Sequence, residues 1–431
     1  MNLLFANDRA GHYPPSYYAA TAPLLDPLPP LSGMQDADVC IVGAGYTGLS
    51  AALHLAQRGL RVIVLDAQRV GFGASGRNGG QVSSGQRIEQ DAIEGMVGRE
   101  DARKLWDLGE AAKHLVRDLI AAHDMDCGWH SGIIHADWQA RDVPHSHAYA
   151  DKLARDYGYS AVQKLDRDAI RAIVRTNAYQ GGVLDQGAAH VHPLRYCLGL
   201  ARAAIAAGAR IHESSQVLGI DAGARPVVRT TSGQVTADHV LIGANGYLGG
   251  LVPQVAAKVM PINNFIVATE PLPAGTVLTR NVAVADSKFV INYFRLSDDG
   301  RLLFGGGESY GYRFPDIERT VRKPMEQVFP QLRNVRLTHA WGGTLAITMT
   351  RLPCFVRVAP NILSASGYSG AGVGMATLAG KLMADAVAGQ AEGFDTFARL
   401  NLPAFPGGPA LRAPLLALAM TWYALRDRLG V

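Results

Sequence analysis

The residues best placed to hold a reacting group in this chain are glycines. Gly43-Ala44-Gly45-Tyr46-Thr47-Gly48 follows the apolar run Val39-Cys40-Ile41-Val42 and opens an apolar, helix-spaced segment that ends near Arg58-Gly59. Strand, tight turn and helix are predicted in that order. Gly43 permits the turn, Gly45 lets backbone approach a pyrophosphate, and Gly48 lets helix and strand pack closely; Tyr46 and Thr47 begin a helix whose free N–H groups point at phosphate. A second predicted strand, Arg61 to Leu65, ends at Asp66 and Ala67. An acid about 20 positions beyond such glycines holds a ribose 2′-hydroxyl, so the expected ligand is a dinucleotide without a 2′-phosphate.

A second glycine-rich stretch decides which dinucleotide. Gly71-Phe72-Gly73-Ala74-Ser75-Gly76-Arg77-Asn78-Gly79-Gly80-Gln81 is built mostly of small residues, so its backbone can wrap a ligand closely, and Ser75, Arg77 and Asn78 add donors for phosphate and ribityl oxygens. A nicotinamide-binding fold does not need it. Further along, Gly367-Tyr368-Ser369-Gly370-Ala371-Gly372-Val373-Gly374 leads into a helix predicted from about Met375 to Val387. A helix N-terminus aimed at a flavin pyrimidine would stabilise the negative charge acquired on reduction. Together the three elements point to FAD.

The second stretch resembles a flavin motif of the D-amino-acid-oxidase-like family of FAD amine oxidoreductases. Similar motifs run along nearly the whole chain: Ser16-Tyr17-Tyr18-Ala19-Ala20, His190-Val191-His192-Pro193-Leu194, Arg301 to Gly307, Phe329-Pro330-Gln331-Leu332, Gly367-Tyr368-Ser369-Gly370 and Tyr423 to Val431. The resemblance implies an α/β fold (α+β overall) in which a Rossmann-type FAD-binding domain, residues 1–95, 188–258 and 339–431, interleaves with an antiparallel-sheet substrate domain, residues 96–187 and 259–338. It also implies that Val217 meets the adenine through its backbone, that Val240 to Asn245 is a strand returning to the FAD at Ala244 and Asn245, and that Gly343 and Leu345 lie beside the flavin with Gly367, Tyr368, Gly370, Ala371, Gly372 and Val373.

The implied chemistry is oxidation of a small-molecule amine, polyamine-derived or gamma-glutamylated, by hydride transfer to flavin N5. The imine hydrolyses to an aldehyde, and O2 or an electron carrier takes the electrons. The alternatives are a dehydrogenase for a D- or imino amino acid that reduces a quinone or carrier, and a flavin-binding sensor or assembly subunit without turnover. Three departures from the family bear on this. Ala371 stands where related sequences have histidine; Gly343-Thr344-Leu345-Ala346 lacks the cysteine that tethers flavin in the sarcosine-oxidase branch; and Arg301-Leu302-Leu303-Phe304 lacks that branch's oxygen-activating lysine. Non-covalent FAD is therefore expected, with Cys354 displaced from the tethering position.

Alternation in Phe265-Ile266-Val267-Ala268-Thr269 and the turn Ser297-Asp298-Asp299-Gly300 predict an antiparallel sheet over Met260 to Thr338, the floor of a substrate pocket. Tyr293 and Arg295 are its candidates to face the flavin. Arg295 would receive a substrate carboxylate as a bidentate pair, or else be a solvated strand arginine; Trp341 would stack beside the ring, or else be a core tryptophan. Helices are predicted over Asp101 to Ala122, Ala148 to Asp156, Asp166 to Val174 and His192-Pro193 to Ala207, with strands over Gly128 to Trp138 and from Arg210. Pro14-Pro15 and Pro27 to Pro30 give an extended arm over residues 1–36.

Composition excludes other classes. At 431 residues with 48% hydrophobic side chains the chain can fill two cores, and Lys+Arg 41 against Asp+Glu 37, without a basic block, predicts no nucleic-acid partner. Cys40, Cys127, Cys197 and Cys354 are too scattered for a disulfide framework, and no apolar stretch of signal-peptide length opens the chain, so a reducing cytoplasm is expected. Ala413 to Leu425 is apolar but shorter than the ~20 residues of a spanning helix; it is expected to pack on its own domain or on another subunit. The pairs His145/His147 and His190/His192 lack a third ligand nearby and read as rings on one side of an extended chain, with no metal expected.

Overall fold

The computed structural model describes residues 2–406, so the expectations for Ala413 to Leu425 and the motif Tyr423 to Val431 lie outside the described residues. Two sheets organise the chain. The first takes the strand order Cys354–Ala359, Ile362–Ser366, Gly233–Ile242, Gly33–Val42, Val62–Leu65, Arg210–His212. From Ile362–Ser366 onward its neighbours run parallel. Its central strands are continuous apolar runs, as in parallel sheets covered on both faces: Val39 to Val42 and Val62 to Leu65 are buried without interruption. The helices Tyr46–Ala56, Pro193–Ala206 and Gly372–Val387 pack together on it.

The second sheet runs Leu337–Ile347, Met260–Pro271, Arg301–Ser309, Tyr293–Leu296, Ala283–Asp286, His130–Asp137, Gly181–His190, Gln81–Val82, with Val162–Leu165 alongside Gly181–His190. It is antiparallel as predicted except where Ala283–Asp286 runs parallel to His130–Asp137. The strongly amphipathic helix Ile317–Val328 buries Val321, Met325 and Val328 in its outer core, beside Phe294, Phe304 and Phe329. The expected boundary at residue 339 falls inside Leu337–Ile347, which belongs to this second sheet throughout, and Gln81–Val82 joins the same sheet from the N-terminal segment.

Several elements differ from their predictions. The helix expected from Asp101 begins at Gln90 and is broken at Gly98, where φ is 81°. The helix expected from Ala148 starts at Val143, with a proline in its first turn, so His145 and His147 sit on a helix and not on an extended chain. His145 pairs with Glu89, and His147 meets the carbonyls of Leu165 and Gly182. His192 caps the helix Pro193–Ala206 by accepting from the Arg195 amide. The N-terminal arm is not extended throughout: residues 3–12 form turns, Tyr17–Thr21 is one short helix capped by Ser16, and residues 23–32 make the longer run free of regular structure and turns. Among the described residues no helix is long and apolar enough to cross a membrane.

Glu213 fixes the arm to the first sheet. Its buried carboxylate accepts from the amides of Leu28 and Val70 and pairs with Arg69 at 2.7 Å. Glu213→Ala strands the enclosed Arg69 charge and should cost about 3–5 kcal/mol of folding free energy, read by chemical denaturation. A loss below about 1 kcal/mol, the range of exposed pairs, would show that the arm is held by other contacts.

Candidate dinucleotide and substrate site

The first strand's turn is steric necessity made visible. Gly43 has φ 105°, and a Cβ on Gly48 would sit 1.8 Å from the Gly43 carbonyl oxygen, so strand and helix approach to backbone contact. The carbonyl end of this sheet opens into a cavity of about 1550 Å³ that continues to the face of the second sheet. That volume exceeds the ~300–1,000 Å³ of a pocket for one drug-sized ligand. It accommodates a long cofactor and a substrate together.

The structure brings most of the predicted residues to its wall. From the first sheet come Gly43, Gly45, Tyr46, Thr47, Asp66, Ala67, Val217, Ala244 and Asn245; from the second glycine-rich stretch come Gly73, Ala74, Ser75, Arg77, Asn78, Gly79 and Gln81. Gly343, Leu345, Tyr368, Gly370, Ala371, Gly372, Val373 and Tyr293 complete it. Gly48, Gly80, Gly367, Arg295 and Trp341 do not line it. Gly48 lies beneath the turn; Gly80, with φ 78°, and Gly367, with φ 70°, are turns behind the wall.

Asp66 ends its strand with one carboxylate oxygen on the Ala44 amide, at 2.7 Å, and the other on the Gln68 amide, at 2.8 Å. Burial pushes its pKa up to about 6, against the lowering effect of those two amides. The Ser75 hydroxyl oxygen accepts from the Tyr46 amide at the start of the helix. Thr47 and Tyr368 share a 2.6 Å hydrogen bond between hydroxyls, which joins the first and third glycine-rich elements.

Three side chains, Arg77, Asn78 and Arg295, have roles other than those expected, and Trp341 takes the second of its two expected readings. Arg77 is only 3% exposed. Its Nε donates to the Phe72 carbonyl, and its Nη1 to the Gly342 carbonyl and to Asp8, so it clamps its loop to the second sheet in place of offering donors to phosphate. Asn78 folds the loop on itself, donating to the carbonyls of Ala74 and Ser75 and accepting from the Gly80 amide. Arg295 shares the face of Tyr293, two residues away, but the Gly79-Gly80 backbone lies over it. Its guanidinium donates to Gly79 O, Leu296 O and the Tyr18 hydroxyl. It is therefore a buried support of the loop and not the expected carboxylate receiver. Trp341, 1% exposed, is a core side chain whose Nε1 donates to the Arg77 carbonyl.

Tyr293 does face the cavity. Its ring leans onto Gly305, where a Cβ would stand 2.0 Å from ring carbon, and its hydroxyl donates to Asn264. On its other side the register places Ala285, then His135, then Val183, in one row across neighbouring strands. Ala285 leaves open floor between Tyr293 and His135, whose strands lie about 10 Å apart. His135 is open to the cavity yet ringed by protein, and burial holds its pKa below the usual 6.5.

Several wall residues went unpredicted: His135, Asp137, Asp185, Asp286, and a group formed by Arg87, Glu308, Tyr310 and Arg351. The first two had a signal, polar residues at alternate places in Ile133-Ile134-His135-Ala136-Asp137. The others stand singly in distant segments and meet only in the fold. No thiol of the four cysteines lies in the wall; Cys354 is buried in a hairpin opposite Ser366.

The family model for FAD-dependent oxidoreductases of the DAO type matches residues 38–386. The chain is 42% identical to the probable oxidoreductase OrdL of Rhizobium meliloti (strain 1021), over 96% of this chain and 97% of that protein. It is 41% identical to gamma-glutamylputrescine oxidoreductase of Escherichia coli (strain K12), over 96% and 99%. Among solved structures, glycine oxidase from Geobacillus kaustophilus superposes with a TM-score of 0.70 at 22% identity, covering 83% of this chain and 95% of that one, and shares the fold. With its glycine cradle, its acid at the second strand and its two-sheet cavity, this chain belongs to the DAO family of FAD-dependent oxidoreductases.

Proposed function

We propose that the enzyme holds FAD without a covalent bond and oxidises a cationic amine, polyamine-derived or gamma-glutamylated. The observation that carries the amine reading is the charge of the wall. Asp137, Asp185 and Asp286 are all buried at the cavity, and none makes an ion pair among the described residues. Each accepts hydrogen bonds from neutral donors, but none faces an opposite charge within ion-pair distance, so a cation entering the cavity would be held by them. The likeness to gamma-glutamylputrescine oxidoreductase supports the same substrate class.

In this reading Gly43, Gly45 and the Tyr46–Ala56 helix N-terminus receive the pyrophosphate, Asp66 the ribose, the Val217 backbone the adenine, and Leu345, Gly370 and Ala371 border the ring. FAD held there would supply the acceptor for a hydride leaving the carbon beside the amine nitrogen. Tyr293, fixed by Gly305 and Asn264, forms one side of the substrate floor, and Ala285 leaves the chain of the amine room to lie flat. Asp185 is held in place by the Tyr159 hydroxyl and the Gly187 and Ala188 amides, so its carboxylate is preorganised toward an ammonium. Loss of one proton from the ammonium and then of the hydride leaves an iminium ion, which water converts to an aldehyde with release of ammonia or the second amine. O2 then takes the electrons to give H2O2.

Two sets of measurements test this. A polyamine or gamma-glutamylated diamine should bleach the flavin anaerobically without NAD, and acid precipitation should leave the yellow colour in the supernatant. Failure of every amine, with rapid reduction by a 2-hydroxy acid, would overturn the reading, and flavin retained in the pellet would overturn non-covalent binding. The second measurement concerns Asp66. A ribose hydroxyl donates better to an ionised carboxylate, so FAD affinity should fall as pH drops through about 6. Asp66→Asn should lose about 1.5–3 kcal/mol of affinity at pH 8 and lose the pH dependence. Equal dissociation constants for variant and parent at pH 8 would remove Asp66 from the ribose site.

A further inference from the structure

Two arginines enter the cavity without a partner. Arg87 comes from the loop between Gln81–Val82 and Gln90–Ala122, and its Nε reaches within 3.6 Å of where a Cβ on Gly370 would be. Arg351 comes from the turn after Leu337–Ile347, where its own backbone is left-handed at φ 64°, a conformation rare for a long side chain. Among the described residues neither guanidinium donates a hydrogen bond or forms an ion pair. Both act electrostatically on Glu308, and Arg351 on Arg87. Glu308 closes the Arg301–Ser309 strand opposite Asn264, the residue that holds the Tyr293 hydroxyl, and accepts from the Tyr310 hydroxyl at 2.8 Å.

The physical state of this group is unbalanced. Two like charges share one corner of the cavity wall, Arg87 exposed to the open space and Arg351 half-buried, with a single carboxylate too far from either for an ion pair. Burial and the Arg351 charge both press the Arg87 pKa down, and burial presses that of Glu308 up. A carboxylate placed between the guanidiniums relieves their repulsion and receives forked hydrogen bonds. An ammonium on the same ligand answers Glu308. A simple anion would satisfy only the first of these demands, and a simple diamine only the second.

We propose that Arg87, Arg351 and Glu308 form a subsite for an amino-acid headgroup on the substrate, the two arginines taking its carboxylate and Glu308, steadied by Tyr310, its ammonium. The inference rests on the amine reading for the remainder of the molecule, and it assigns the selection of conjugated amines over free polyamines to three residues from three distant segments. It also moves the carboxylate receiver from Arg295, which is buried under the glycine-rich loop, to two arginines that line the cavity.

The test is calorimetric binding to the FAD-loaded protein, with no turnover needed. N5-butyl-L-glutamine carries the headgroup and has no terminal amine to oxidise; 5-(butylamino)-5-oxopentanoate lacks the α-ammonium, and N-butylbutanamide lacks the headgroup. Arg87→Met and Arg351→Met should each weaken the first two ligands roughly 10- to 100-fold and leave the third unchanged. Glu308→Gln should weaken only the first. An unchanged dissociation constant in both arginine variants, or an equal loss for N-butylbutanamide, overturns the subsite. Should a methionine variant fail to retain FAD, Arg→Lys at the same position keeps the charge and loses the fork, and must still weaken both carboxylate ligands. If headgroup binding follows the arginines but no amine bleaches the flavin, the subsite stands and amine oxidation falls. If amines are oxidised and binding ignores the arginines, the reverse holds.

Discussion

The buried guanidinium of Arg77 joins the two halves of this protein. It binds the carbonyl of Phe72 on one side and that of Gly342, in the end strand of the second sheet, on the other, with Asp8 neutralising its charge. Ser75, Asn78 and Arg295 hold the glycine-rich stretch as well, while Arg77 ties it to the end strand of the second sheet. With that tie, the stretch becomes a shared wall, and the cavity runs unbroken from the Gly43 turn to the floor at Tyr293. The same economy recurs at Thr47 and Tyr368, whose hydroxyl pair locks the first phosphate helix to the third glycine-rich element. Arg295 supports the loop from beneath through the Gly79 carbonyl.

Much of this was legible in the sequence because its causes are local. The Gly43 turn, Asp66 at the end of the second strand, and the His192-Pro193 helix start each depend on residues within one turn or strand. Arg77, Asn78 and Arg295 show where such reading ends. Their donors suit phosphate or carboxylate by type, but which carbonyl lies closest is decided by the packing of a loop against a sheet from elsewhere in the chain. Arg87, Glu308 and Arg351 carried no local pattern at all. Their segments converge only after Leu337–Ile347 pairs with Met260–Pro271 and the loop closes over the floor.

The chemistry divides along the same lines. The dinucleotide half relies on backbone N–H groups and one buried carboxylate, features that suit any member of the family. The substrate half differs in kind: a bare floor at Ala285, carboxylates along one side, and two unpaired arginines at the Gly370 corner. Arg87 reaches that corner beside Gly370. In the proposed reading, substrate selection lies with side chains on the second sheet and its connecting loops, and the oxidising power with an FAD held by the first sheet.

The central claim is that one dinucleotide spans both halves, with its phosphates on the Gly43–Thr47 turn and its ring against the second sheet. A crystal structure of the FAD-loaded protein tests it directly. The account predicts density for the adenosine ribose on Asp66 and for the isoalloxazine between Leu345, Tyr293 and the Gly370-Ala371 turn. A ring lying outside the second-sheet floor, or phosphates away from the Gly43 turn, would contradict it.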